Sequence, residues 1–86
     1  MSDATLAPTA ESVLLHLCKS VVSSPDEVAI STTDLGDSKV RFDVSVAKDD
    51  MGRVIGRRGR VASAIRTVVN AAGAKDSVST EVEFVE

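Results

Sequence analysis

From Thr9 to about Val22, apolar residues recur at helical spacing. Leu14, Leu17, Cys18 and Val21 fall at i, i+3, i+4 and i+7, and Val13 and Val22 widen the stripe. Ser23-Ser24-Pro25-Asp26 ends this helix, because the residue before a proline avoids the α region. Val28 to Thr33 is a short β-branched run, and Asp34-Leu35-Gly36-Asp37-Ser38 is a turn cluster leading into a strand. In Lys39 to Ala47 the period changes to two: Val40, Phe42, Val44 and Val46 face one side, with Arg41, Asp43 and Ser45 opposite. A turn this short cannot carry a parallel crossover, so the two strands are expected to form an antiparallel hairpin.

Helical spacing then returns in two pieces. Asp49 or Asp50 is placed to cap a short helix through Ile55, although Gly52 weakens it. Arg60 to Ala72 is a longer helix with Val61, Ile65, Val68 and Ala72 on one side, and Gly73 is expected to stop it. Val78, Thr80, Val82 and Phe84 alternate with Ser79, Glu81 and Glu83 as a last strand. The order α-β-β-α-α-β predicts an α+β domain, a three-stranded sheet with helices packed on one face. Met1 to Pro8 has no periodicity and reads as a flexible leader, which leaves residues 9–86 as one domain.

Composition removes several classes of function. A chain of 86 residues that is 43% hydrophobic and 27% charged is sized for one small core and is not a disordered polyelectrolyte. One cysteine, Cys18, excludes an internal disulfide, and His16 lies two residues from it, too close along a helix for the pair to face one metal ion. No apolar run approaches the roughly 18 residues of a membrane span, and the N-terminus lacks a basic and then apolar signal, so the expected location is the cytoplasm. The one histidine has no nucleophile partner in sequence and the acids are scattered through turns and strand exteriors, so no catalysis is expected, and neither cofactor nor metal.

Charge is distributed unevenly. The net charge is −3, yet residues 52–75 hold Arg53, Arg57, Arg58, Arg60, Arg66 and Lys75 with no acid among them. A local positive surface on an acidic protein attracts a polyanion to that surface alone, because screening makes the nearby field dominate. At the centre of the segment stands Gly56-Arg57-Arg58-Gly59, between the two helical patterns. Glycines at both ends allow a turn without side-chain bulk, the following helix offers unpaired N–H groups, and the arginines supply charge.

In that position, Val54-Ile55-Gly56-Arg57-Arg58-Gly59 resembles the G-x-x-G segment of a type II KH domain. From about Glu11 to the end, the chain is similar to the small single-KH bacterial proteins of the KhpA family. The most specific elements are Asp49 through Gly59 and the Ser24-Pro25-Asp26-Glu27-Val28 segment after the first helix. The resemblance implies binding of single-stranded RNA, with the loop clamping about four nucleotides by their backbone. It also implies that Gly56 and Gly59 shape the loop and that Arg57 and Arg58 meet phosphates, with Arg53 and Arg60 beside them. Ile55 and Val61, with Ile65 and Val44, would line an apolar groove for bases, though Ile65 and Val44 also belong to core stripes. The family further implies an RNA chaperone that acts in post-transcriptional regulation and in cell-wall and cell-shape homeostasis. Its expected assembly is a homodimer or a heteromer with a larger KhpB-type KH protein. The competing reading is an adaptor whose basic loop docks acidic protein surfaces, since an arginine pair serves carboxylates as well as phosphates.

Overall fold

The computed structural model describes residues 7–85. Helix α1 spans Pro8–Val21, strands β1 and β2 span Ala29–Gly36 and Lys39–Ser45, the short helix α2 spans Met51–Ile55, α3 spans Arg60–Lys75, and β3 spans Ser79–Val85. This is the expected α-β-β-α-α-β order. β1 pairs antiparallel with β2, setting Ile30 opposite Val44 and Thr32 opposite Phe42. β3 lies on the other edge of β2 and runs parallel to it, with Phe42 opposite Val82. The parallel pairing follows from the connection, which carries both α2 and α3 between β2 and β3.

The core lies between the sheet and the helices. Val40, Phe42, Val44 and Val46 are buried from β2 onward, as their alternation predicts, and they meet Leu14 and Cys18 of α1, Val54 of α2 and Ile65 and Val69 of α3. Burial pushes the Cys18 thiol up to about 11, so it is a packed core group and not a nucleophile. On the strands, Lys39 pairs with Glu81 at 3.1 Å and Arg41 with Asp43 at 3.0 Å.

Three boundaries depart from the sequence expectation. The leader expected over residues 1–8 lies outside the described residues for 1–6, whereas Ala7 is buried and Pro8 opens α1. The N-cap residue of α1, Ala7, offers no side-chain cap bond, and Asp76, just past the end of α3, caps the helix across the fold, its Oδ2 accepting the N–H groups of Thr9 and Ala10 at 3.1 Å each. The hairpin turn is also shorter than expected. β1 continues to Gly36, and Asp37 and Ser38 make the reversal with positive φ of 54° and 60°, the backbone that a two-residue hairpin turn requires.

The third departure concerns α3, which does not stop at Gly73 but continues to Lys75. Its buried stripe is Ala62, Ile65, Val69 and Gly73, rotated from the expected Val61, Ile65, Val68 and Ala72. At Gly73 the helix comes too close to β3 to admit a side chain, and Val68 is left 46% exposed. A Cβ on Gly73 would stand 2.8 Å from Thr80 Cγ2 and 3.0 Å from the Val78 carbonyl oxygen. Gly73→Ala is therefore expected to lower stability by about 1–2 kcal/mol, although alanine is the better helix former. A rise in the midpoint of thermal unfolding followed by circular dichroism would refute this close approach.

Candidate nucleic-acid interface

The loop between α2 and α3 is built almost wholly from left-handed backbone. Gly56 has φ 71° and ψ −177°, a combination open essentially to glycine alone. Arg58 follows at φ 56° and ψ 28°, and Gly59 at φ 74° and ψ 14°. The Gly56 N–H closes α2 on the Gly52 carbonyl at 2.8 Å, after which the chain makes one tight turn and enters α3 directly. A Cβ on Gly56 would overlap the Val61 side chain, so here the loop folds back against the first turn of α3. Around Gly59 the space is open.

Arg58 is an arginine held in the αL region, a backbone that costs a residue with a Cβ about 1–2 kcal/mol. Its side chain is exposed, and neither Arg58 nor Arg60 is in an ion pair among the described residues. The expected phosphate role of the Arg57 side chain lies outside what the structure describes. No side-chain hydrogen bond caps α3, whose N-cap is Gly59, so its first-turn N–H groups are further donors beside the loop.

The six basic residues of the 52–75 segment do not converge on one spot. Arg53, Arg58 and Arg60 stand around the loop with the Arg57 backbone. Arg66 instead donates from Nε to the Val82 carbonyl at 3.0 Å and lies over the Phe84 ring, 5.7 Å from its centroid. Four residues on, Asn70 Oδ1 accepts the Thr80 N–H at 3.3 Å, so the two side chains together cover the outer edge of β3. Lys75 ends α3, roughly 22 Å along the helix axis from Arg60.

Beside the loop, an apolar groove of about 320 Å³ runs between α1 and α3, lined by Leu17, Val21, Val61, Ala64, Ile65 and Val68, with Arg60 at its rim. Val61 and Ile65 thus stand where an apolar groove was expected. Ile55 is 36% exposed and is not among the lining residues, and Val44 is fully buried in the core. In the sequence, Leu17 and Val21 read as core from their spacing; the surplus width of the apolar stripe on α1 is the signal that part of it faces a groove.

Asp49 or Asp50 is expected to cap α2, and Asp50 is engaged elsewhere. It makes no side-chain cap bond to α2. It is 1% exposed, and its two carboxylate oxygens accept the Ser23 N–H at 2.9 Å and the Ser24 N–H at 3.0 Å, with Arg53 Nε 3.4 Å from Oδ1. The Ser23 N–H above all, then that of Ser24 and the Arg53 charge, hold the carboxyl below the usual carboxylate range against the opposing effect of burial. Among the described residues there is no cluster of His, Cys, Asp and Glu fit for a metal ion, and no helix long and apolar enough to cross a membrane.

Comparison with known proteins sets this geometry in context. Residues 11–84 match the family described as KhpA/KhpB, KH domain. The "RNA-binding protein KhpA" of Listeria monocytogenes is 42% identical over 76 residues, covering 88% of this chain and 99% of that one. Its namesake in Clostridium acetobutylicum is 42% identical over 73 residues, 85% of this chain and 96% of the relative. The Streptomyces coelicolor protein of the same name is 46% identical over 65 residues, 76% and 81% of the two chains. Among solved structures, Aquifex aeolicus Era superposes with a TM-score of 0.73 at 14% identity, over 96% of this chain and 32% of that one, a likeness of fold alone. The relatives are named for RNA binding and not for an enzymatic activity. With the match spanning both strands of the hairpin, the Gly-bounded loop and the last strand, the chain belongs to the KhpA/KhpB KH-domain family.

Proposed function

We propose that this chain binds single-stranded RNA through the Gly56-Arg57-Arg58-Gly59 loop and acts as a cytoplasmic RNA chaperone in post-transcriptional regulation. The observation that carries the reading is Arg58, an exposed arginine kept in left-handed backbone where glycine or asparagine would sit with less strain. Beside it, the open space at Gly59 and the uncapped start of α3 let a sugar-phosphate chain come close to the main chain. The names of the relatives support RNA as the polyanion.

The chain has no Trp or Tyr, and Phe84 is engaged by Arg66, so bases rest on aliphatic surface instead of an aromatic platform, which forgoes about 1–3 kcal/mol per base. A lone domain then binds at a Kd of order micromolar. Two domains on one RNA gain by effective concentration, which favours action as a homodimer or with a larger KhpB-type protein, in the control of cell-wall and cell-shape homeostasis. A fluorescence anisotropy titration of a labelled unstructured RNA tests the reading. With three or four arginines on phosphates, log K against log salt falls with a slope of about −2 to −3. Saturable binding to an acidic peptide with none to RNA would favour the adaptor instead.

A further inference from the structure

We propose that Asp50 is a positioning residue for the RNA-binding loop, a role that rests on the reading above: its carboxylate sets how α2 is turned and thereby where Gly56 to Gly59 stand. The reason lies in the length of α2. A helix of five residues has too few internal hydrogen bonds to persist alone, so its direction is imposed from outside. Met51 packs against the core, and two more anchors, one just before the helix and one four residues on, add to it. Val54 is fully buried and Asp50 is 1% exposed. Val54 is an apolar contact, which resists withdrawal but permits rotation and sliding. Asp50 is directional, because its two oxygens each accept one of two consecutive backbone N–H groups, at 2.9 Å from Ser23 and 3.0 Å from Ser24.

Ser23 and Ser24 follow the end of α1, so the carboxylate joins the base of α2 to the segment leaving α1. The loop hangs from the other end of the same short helix, through the Gly56 N–H on the Gly52 carbonyl. The carboxylate also holds Arg53 Nε at 3.4 Å while leaving that side chain 61% exposed, which fixes one of the flanking cations at its root.

Two variants separate positioning from charge. Asp50→Asn keeps the shape but turns an N–H group toward a backbone N–H, so one of the two bonds is lost, and it leaves the surface one unit more positive. Were Asp50 only a local negative charge, RNA would bind this variant more tightly. Positioning predicts the reverse, a loss of about tenfold, the equivalent of one charge-assisted bond. Asp50→Glu keeps the charge and displaces the carboxylate by one methylene, and it too is expected to weaken binding by about tenfold instead of rescuing it.

Amide hydrogen exchange read residue by residue, without RNA, gives the independent measurement. In both variants the Gly56 N–H should exchange about tenfold faster, while the Phe42 and Val44 amides in the centre of the sheet change less than about twofold. An unchanged Gly56 amide, or tighter binding by Asp50→Asn, overturns the proposal. So does uniform acceleration of all amides in both variants, which would make Asp50 a general stabiliser. Faster exchange at Gly56 in the variants, with no RNA binding by the parent protein, would sink the RNA reading and leave the positioning role standing.

Discussion

Reversing both loop charges, Arg57→Asp with Arg58→Asp, is expected to weaken RNA binding by at least about 100-fold while the fold stays intact. Each charge-assisted contact to a phosphate is worth about 1.5–3 kcal/mol, so two lost contacts alone exceed that factor before repulsion is counted. The salt slope should become shallower by about 1.4, the share of two phosphates on a single strand. Stability is expected to change by less than about 0.5 kcal/mol, because the Arg58 side chain is exposed and its backbone lies at φ 56°, a region aspartate tolerates better than arginine does. Titrations of parent and variant at two salt concentrations, with thermal unfolding beside them, check all three quantities. A superimposable binding curve would remove the phosphate contacts from this loop. Loss of an acidic protein partner with RNA binding retained would establish the adaptor.

The elements were legible wherever one period dominated. β2 is the clearest case: four apolar residues at alternate positions predicted their burial, since a strand in contact with helices on one face admits no other arrangement. The Gly-bounded loop was legible too, because glycines flanking two arginines between helical patterns leave few other local solutions. What escaped depends on distant partners. At the C-terminal end of α3 the buried position is Gly73 and not the expected Ala72, because Thr80 and Val78 leave no room there for a Cβ; Gly73 is chosen by these partners and not by its own helix. Asp76 capping α1, and Asp50 bound to Ser23 and Ser24, are acids whose partners lie 66 or 67 and 26 or 27 residues away. A carboxylate near a helix start in sequence reads as that helix's cap, which is how Asp50 reads beside α2, whereas Asp76 lies at the wrong end of α3 for any local cap and serves α1 instead. The groove beside the loop was half legible, since Val61 and Ile65 belong to a visible stripe while its α1 wall appears only once the helices are packed.

Gly56 and Gly59 look equivalent in sequence, and their structures predict very different substitutions. At Gly56 alanine meets two obstacles together. The backbone, at φ 71° and ψ −177°, is a region that residues with a Cβ hardly occupy, at about 1–3 kcal/mol. The new Cβ would also overlap Val61 Cγ2 and lie 2.7 Å from Val61 Cβ and 3.0 Å from Val61 N. Val61 is β-branched and sits in the first turn of a helix, so it has no free rotamer to swing into, and its backbone nitrogen cannot move without α3. The overlap adds about 1–3 kcal/mol, giving roughly 2–6 kcal/mol in all. Relief can come only by reshaping the loop, so RNA binding should be lost together with stability. At Gly59 the backbone is ordinary αL, at φ 74° and ψ 14°, and nothing lies within 4 Å of an added Cβ. Gly59→Ala should cost about 1–2 kcal/mol and Gly59→Asn less, with the fold retained in both. Chemical denaturation of the three variants measures the difference directly. Equal losses at the two glycines would mean that the loop does not fold back on Val61, because that contact is what makes Gly56 alone irreplaceable.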